Sequence, residues 1–223
     1  MDHYIKSMTP NQVGAGRYEA MRSNPTTEAE AETAFRKGLM EKYIAAQITE
    51  AGRIIGLMSA DEALSARVQQ AAQATIKCMR NGGKVLIAGN GGSAADAQHL
   101  ATELTCKFKK KRKALPGLAL TTDTSALTAI GNDFGFKYIF ARQIEAIGNS
   151  GDIAIAITTS GNSINLIEAI KAAKKRKIIT FCFSGNKGGK LKKFVKYPII
   201  FKSNETDVLQ VVEIAIGQIY CSI

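Results

Sequence analysis

The stretch KVLIAGNGGS, residues 84–93, decides the fold. Its first half, KVLIA, is an almost continuous apolar run, which is typical of a strand buried on both faces of a sheet. The glycines that follow allow a sharp turn and a close approach of the backbone to a ligand. A helix is predicted to begin near Ser93, and its free N–H groups favour an anion. The stretch therefore predicts a strand, a phosphate or nucleotide loop and a helix, although a glycine-rich turn without a ligand has the same pattern.

Four more short apolar runs follow this unit. They are GLAL (117–120), DIAIAI (152–157), IITFCF (178–183) and YPIIF (197–201), and a last helix is predicted over residues 205–221. Glycine-rich turns and helical stretches separate the runs, as expected for parallel strands joined by crossover helices. We therefore predict an α/β fold with a doubly wound, parallel five-stranded sheet flanked by helices.

The segments before residue 84 have a different pattern. Apolar residues recur at helical spacing over residues 39–58 and 60–80, which predicts two amphipathic helices. Residues 1–38 are polar and are interrupted by proline and glycine. We predict an N-terminal helical extension over residues 1–38 and one domain over residues 39–223.

Composition restricts the class of protein. The 223 residues are 45% hydrophobic, enough for a core of ordinary size, and no run of 18 apolar residues is present. The first 21 residues lack the pattern of a signal peptide, and the four cysteines form no CxxC pair. The sequence therefore predicts a cytoplasmic protein with reduced thiols and no membrane partner.

The formal net charge of +11 is concentrated in three basic runs, at residues 107–113, 171–177 and 187–196. Such runs can bind nucleic acid or attract anionic substrates, or they can be solvated surface. No aromatic stacking residues and no nucleic-acid motif accompany them. We therefore predict no nucleic-acid partner.

A second polar loop, ITTSGNS at residues 157–163, also stands between a predicted strand and a predicted helix, residues 165–173. Its hydroxyl groups and the amides of the helix terminus can satisfy the oxygens of a phosphate without a cation. The alternative is a helix cap, for which one such residue would suffice. Two such loops at strand ends predict a phosphate site.

His99 and Glu103 lie four residues apart on the helix after the first loop, so their side chains project from one face. They are a candidate metal-ligand or acid/base pair, or an ordinary surface pair. A carboxylate beside a bound sugar suits aldose–ketose isomerisation, in which a proton moves between adjacent carbons through an enediolate.

Three long stretches carry a resemblance to a known family. They are GNGGSAADAQHLATEL (89–104), LALTTDTSALTAIGNDFGFKYIFARQIEAIG (118–148) and ITTSGNSINLIEAIKAA (157–173). The chain resembles the phosphoheptose isomerases, which have a sugar isomerase (SIS) domain. The resemblance implies a homotetramer that converts sedoheptulose 7-phosphate into D-glycero-D-manno-heptose 7-phosphate, for heptose and surface polysaccharide biosynthesis.

The resemblance also implies roles for particular residues. Substrate contacts are expected from Asn90, Gly91, Gly92, Ser93, Glu103, Asn132, Asp133, Thr158, Thr159, Ser160, Ser163 and Gln210. Zinc is expected at His99, Glu103, Gln210 and the position of Gln218, and proton transfer is expected at Glu103 and the position of Gln218.

The last helix departs from the family pattern Q-x-x-H-x-x-x-x-H, because this chain reads QVVEIAIGQ over residues 210–218. A glutamine at 218 cannot titrate and is a weaker zinc ligand than imidazole. The departure predicts weak zinc binding and slow proton transfer. Two alternatives stay open: a non-catalytic SIS-domain protein that binds a sugar phosphate or a protein partner, as the DnaA initiator-associating protein does, and an isomerase of a related sugar phosphate with Glu103 as its sole base.

Overall fold

The computed structural model describes residues 28–203 and 205–223, so most of the predicted N-terminal extension lies outside the described residues. The α-helices in this part of the chain are α1 (Glu28–Ser59), α2 (Glu62–Arg80), α3 (Gly92–Thr105), α4 (Thr124–Phe134), α5 (Ala141–Ile147), α6 (Ile164–Lys175) and α7 (Thr206–Ser222). The strands are β1 (Val85–Gly89), β2 (Gly117–Ala119), β3 (Ile153–Thr158), β4 (Ile179–Ser184) and β5 (Tyr197–Ile200).

The five strands form one parallel sheet in the order β2-β1-β3-β4-β5. Val85 of β1 pairs with Ile153 of β3, which in turn pairs with Ile179 of β4. Each observed strand agrees with a predicted run to within one residue at either end. The predicted α/β fold is therefore confirmed.

Both faces of the sheet are buried, which explains why its strands are apolar without alternation. Ile87 of β1 belongs to a core shared with α2, α3 and α7. Its neighbours Leu86 and Ala88 point into a second core, shared with α5 and α6. Helices on both faces make the sheet doubly wound, as predicted.

The helix α1 runs without interruption across the boundary predicted between residues 38 and 39. The chain forms two compact units that meet between Gly52 and Arg53, and the predicted domain boundary stays a prediction. In the second unit, the Asp61 side chain accepts a hydrogen bond of 2.9 Å from the backbone N–H of Leu64 and caps α2. The predicted helices over residues 39–58 and 60–80 correspond to most of α1 and to α2.

The topology locates a ligand crevice. The chain leaves β1 towards β2 on one side and later returns to β3 on the other, so the strand order reverses between β1 and β3. In open parallel sheets, ligands bind at the carboxyl ends of the strands where this reversal occurs. The loops that follow β1 and β3 therefore face one crevice.

Within residues 28–203 and 205–223, no helix has the length and apolar character needed to cross a membrane. All four cysteines are free thiols, in agreement with the prediction.

Candidate active site

The first wall of the crevice is the turn from β1 into α3. Gly91 stands before the helix with φ +56°, and no side chain caps the helix there. Gly92 leaves room for Gln210, since a Cβ atom on it would lie 2.0 Å from Nε2 of Gln210 and would displace that side chain. The Ala94 N–H donates to the Gly91 carbonyl at 3.0 Å, and the N–H groups that precede it at the start of α3 favour an anion.

The second wall is the loop from β3 into α6. Thr158 is buried, and its hydroxyl accepts a hydrogen bond of 3.3 Å from the Gly161 N–H. Ser163 occupies the capping position of α6, yet its side chain makes no capping hydrogen bond and lies 3.4 Å from the Thr158 hydroxyl. The serine and threonine hydroxyls of the loop are therefore not consumed in capping the helix.

The loop after β4 holds this second wall in place. Gly161 has φ +66°, and a Cβ atom there would lie 2.4 Å from the backbone of Gly188. The Leu191 N–H donates to the Gly161 carbonyl at 2.9 Å, and the Lys190 N–H donates to Oδ1 of Asn162 at 3.0 Å. These contacts fix the loop backbone before any ligand arrives.

Asn90 and Asn165 connect the two walls. Each side-chain amide donates to the oxygen of the other, at 3.0 and 2.8 Å. Asn165 is 1% exposed, and its Oδ1 also accepts from the Leu166 N–H at 3.0 Å. Sequence reasoning selected Asn90 and missed Asn165, whose position two residues after a Ser-rich strand end was the available signal.

A second cluster lies where the middle and C-terminal half of α3 meet α7, and it contains His99, Glu103 and Gln218. Nε2 of His99 is 3.0 Å from Oε1 of Glu103 and 3.1 Å from the side-chain nitrogen of Gln218. The His99 side chain is 46% exposed and the Glu103 side chain is 17% exposed. The cluster is therefore open to solvent or to a ligand.

Three more predicted site residues lie outside this cluster: Gln210, Asn132 and Asp133. Gln210 lies against Gly92, the first residue of α3, whereas His99 is seven residues further along the helix. Asn132 and Asp133 are exposed on α4, where the Asn132 amide donates to Oδ1 of Asp133 at 2.7 Å. Among the described residues, no hydrogen bond joins this pair to either wall of the crevice, and the predicted roles of all three residues stay predictions.

Glu213 is a buried carboxyl group behind the first wall. It is 1% exposed, and its Oε2 accepts a hydrogen bond of 3.3 Å from the Ser93 hydroxyl. Burial, and then the negative charge of Asp96, raise the pKa of Glu213 to about 8. Sequence reasoning gave it no role, although a lone carboxylate between Val212 and Ile214 is the pattern of a buried charge.

Comparison with known proteins agrees with this geometry. A model of the SIS domain matches residues 50–185. The chain is 47% identical over 167 residues to phosphoheptose isomerase 1 of Campylobacter jejuni, across 75% of this chain and 90% of that protein. The chain belongs to the phosphoheptose isomerase family. The phosphoheptose isomerase of Burkholderia pseudomallei is 46% identical over 181 residues, across 81% of this chain and 92% of that protein.

Solved phosphoheptose isomerases have the same fold. The enzyme of Neisseria gonorrhoeae superposes with a TM-score of 0.77 at 40% identity, across 82% of this chain and 97% of that chain. The enzyme of Francisella tularensis gives a TM-score of 0.78 at 33% identity, across 82% and 96% of the two chains. The fold and the family predicted from sequence are thus both confirmed.

Proposed function

We propose that the protein is a phosphoheptose isomerase that converts sedoheptulose 7-phosphate into D-glycero-D-manno-heptose 7-phosphate. The observation that carries the proposal is the pair of uncapped helix termini facing one crevice, in a chain of this family that retains Glu103 beside His99. The product supplies heptose for surface carbohydrate biosynthesis.

The phosphate is bound by the loop at Thr158–Ser163. Thr159, Ser160 and Ser163 supply hydroxyl donors, and the first turn of α6 supplies N–H groups and the positive end of the helix dipole. Because backbone hydrogen bonds already hold the loop in place, little conformational entropy is lost when the ligand binds.

Isomerisation moves one proton between carbons and one between oxygens. The Glu103 carboxylate removes a proton from C1 of the ketose, which leaves an enediolate, and the proton is returned at C2. The hydroxyl proton at O1 is transferred to O2, so the product is an aldose of the same formula. Gln218 can orient these oxygens by hydrogen bonding, but its amide neither accepts nor releases a proton at neutral pH.

Any zinc at this cluster would be held weakly, because only two of its side chains, His99 and Glu103, are strong zinc ligands. His99 offers an imidazole nitrogen and Glu103 a carboxylate oxygen, whereas the Gln218 amide, whose nitrogen lies 3.1 Å from Nε2 of His99, would have to turn its oxygen towards the ion. Among the described residues, no group of three His, Cys, Asp or Glu side chains could hold a metal. Bound Zn²⁺ would supply Lewis-acid polarisation of the sugar oxygens. Calorimetric titration should give weaker zinc affinity for wild-type protein than for Gln218→His, and equal affinities would contradict this assignment.

The site is completed by assembly into a homotetramer. Glu103 lies eleven residues beyond Gly92, about 16 Å along α3. One substrate molecule must therefore either reach along the helix or contact residues of two subunits. Association of subunits allows the second of these binding modes. An apolar groove of about 320 Å³, lined by residues that include Met58, Val68 and Ile219, supports self-association.

The protein works in the cytoplasm, where sugar phosphates are made and consumed. The alternative of a non-catalytic SIS-domain protein is not favoured, because His99, Glu103 and both walls of the crevice are retained and the relatives described above are named as isomerases. The other alternative, an isomerase that acts on a related sugar phosphate, is tested by measuring activity on different sugar phosphates.

The experiment is to incubate purified protein with sedoheptulose 7-phosphate, with and without added zinc, and to follow the aldose by NMR. Appearance of D-glycero-D-manno-heptose 7-phosphate supports the proposal. Absence of product under both conditions, with enzyme that binds the substrate, favours the non-catalytic alternative.

A further inference from the structure

Glu213 and Asp96 present two carboxyl groups to each other across the contact between α7 and α3. Oε1 of Glu213 and Oδ2 of Asp96 are both buried, and neither has a hydrogen-bond partner among the described residues. The other oxygen of Glu213 receives the Ser93 hydroxyl at 3.3 Å. The Glu213 carboxyl group, directly behind the first turn of α3, therefore has a hydrogen-bond partner for only one of its two oxygens.

In the part of the chain that the structure describes, the groups found around Glu213 are neutral or acidic. From α3 it faces Ser93 and Asp96, and its charge also influences the buried thiol of Cys182 on β4, which belongs to the core on the opposite face of the sheet. From α2, the polar group at the contact with α7 is the Thr75 hydroxyl, which hydrogen bonds to Tyr220. No lysine, arginine or histidine of the described residues forms an ion pair with Glu213.

Two carboxylates in such a place cannot both be ionised without a large cost. Burial raises the pKa of Asp96 as well, although His99 acts in the opposite direction. The pair therefore retains one proton at neutral pH. An isolated carboxylate with an unpartnered oxygen is far less stable than the neutral acid in the same position.

We propose that Glu213 is a positioning residue of the sugar-phosphate site, which holds Ser93 in place for the ligand while the pair with Asp96 retains a proton. The inference rests on the proposed function and assigns a role in it to Glu213. This residue stands where the family pattern has its first histidine.

The link to binding is electrostatic as well as geometric. Ser93 is in the first turn of α3, whose free N–H groups and positive helix end attract an anion. If Glu213 were ionised, its charge would lie behind the α3 wall of the crevice, where it would offset the positive helix end and repel the dianionic ligand bound between the two walls. Loss of the proton should therefore weaken the binding of sugar phosphate.

The test is calorimetric binding of sedoheptulose 7-phosphate at pH 7, 8 and 9 by wild-type protein, Glu213→Gln and the control Glu168→Gln. The ligand phosphate remains a dianion over this range, since its second pKa is about 6. With a Glu213 pKa of about 8, the wild-type and control affinities should fall about tenfold from pH 7 to pH 9. Glu213→Gln keeps a neutral side chain of the same shape and should lose no affinity.

A parallel loss of affinity in wild type and Glu213→Gln would overturn the inference. If no form binds the ligand at pH 7, the proposed function fails and Glu213 has no phosphate site to position. A carboxyl-carbon NMR titration of labelled wild-type protein separates the two claims and needs no variant. A neutral Glu213 at pH 7 supports the shared proton, and an ionised one refutes it.

Discussion

The side-chain amides of Asn90 and Asn165 donate to each other at 3.0 and 2.8 Å and so join the two loops that face the crevice. The loops follow β1 and β3, the strands between which the sheet order reverses. Because an asparagine amide carries both a donor and an acceptor, each residue satisfies the other, and Asn165 Oδ1 in addition accepts from the Leu166 N–H in the first turn of α6.

Replacement of Asn165 by aspartate should lower both the stability of the protein and its affinity for the ligand. The carboxylate keeps the shape but cannot donate to Asn90, and the stability loss should be about 1–3 kcal/mol. Chemical denaturation and calorimetric binding of sedoheptulose 7-phosphate measure the two effects. Asn149→Ala, an exposed change outside the crevice, serves as control, and an Asn165→Asp protein equal to wild type in both respects would contradict the role of this pair.

The double replacement Ser160→Ala and Ser163→Ala should separate binding from stability. Ser163 makes no capping hydrogen bond, and Ser160 only accepts an exposed hydrogen bond of 3.2 Å from the Asn162 N–H, so the melting temperature should change little. Removal of two hydroxyl donors to a charged phosphate should weaken binding by roughly 1.5–3 kcal/mol for each hydrogen bond lost. Unchanged affinity in calorimetry would show that the phosphate binds elsewhere.

The stability of the folded protein should depend on the protonation of Glu213. Its pKa is about 8 in the folded protein and near the ordinary 4.5 when unfolded, so the folded form binds more protons between these values. The Glu213 contribution to stability is then lost progressively as the pH rises from about 4.5 to 8, a change on the order of a few kcal/mol. The melting temperature of Glu213→Gln should rise relative to that of wild type as the pH increases over this range. The melting temperature of Glu168→Gln should change with pH as that of wild type does. A difference that does not vary with pH would refute the shift.

Much of this structure could be predicted from sequence, for reasons visible in particular residues. The run at 153–157 is apolar because both of its faces are covered, and hydrophobic pattern reports that directly. The Asn165 amide and the Glu213 carboxyl act through contacts with residues 75 and 120 positions away in the chain, and local pattern carries no information on such pairs. The same holds for the separation of Gln210 from His99, which depends on how α7 packs along α3.

Self-association should depend on the apolar groove between α2 and α7. Ile219 is 49% exposed beside it, and a charged residue there would have to be desolvated in an interface. Light scattering should give a tetramer for wild type and smaller species for Ile219→Asp. Val211→Asp, a similar change at an exposed residue that does not line the groove, is the control. A wild-type monomer at micromolar concentration would contradict the proposed assembly.

The initial rate of sedoheptulose 7-phosphate conversion tests the central claim most directly, in wild type, Glu103→Gln and Gln218→His at a fixed zinc concentration. We expect slow but measurable turnover in wild type and none in Glu103→Gln, because the base is lost. Gln218→His restores a titrating group beside His99 and should raise the rate by on the order of 10²-fold. Undiminished turnover in Glu103→Gln, or wild-type turnover near 10 per second that Gln218→His leaves unchanged, would contradict the account.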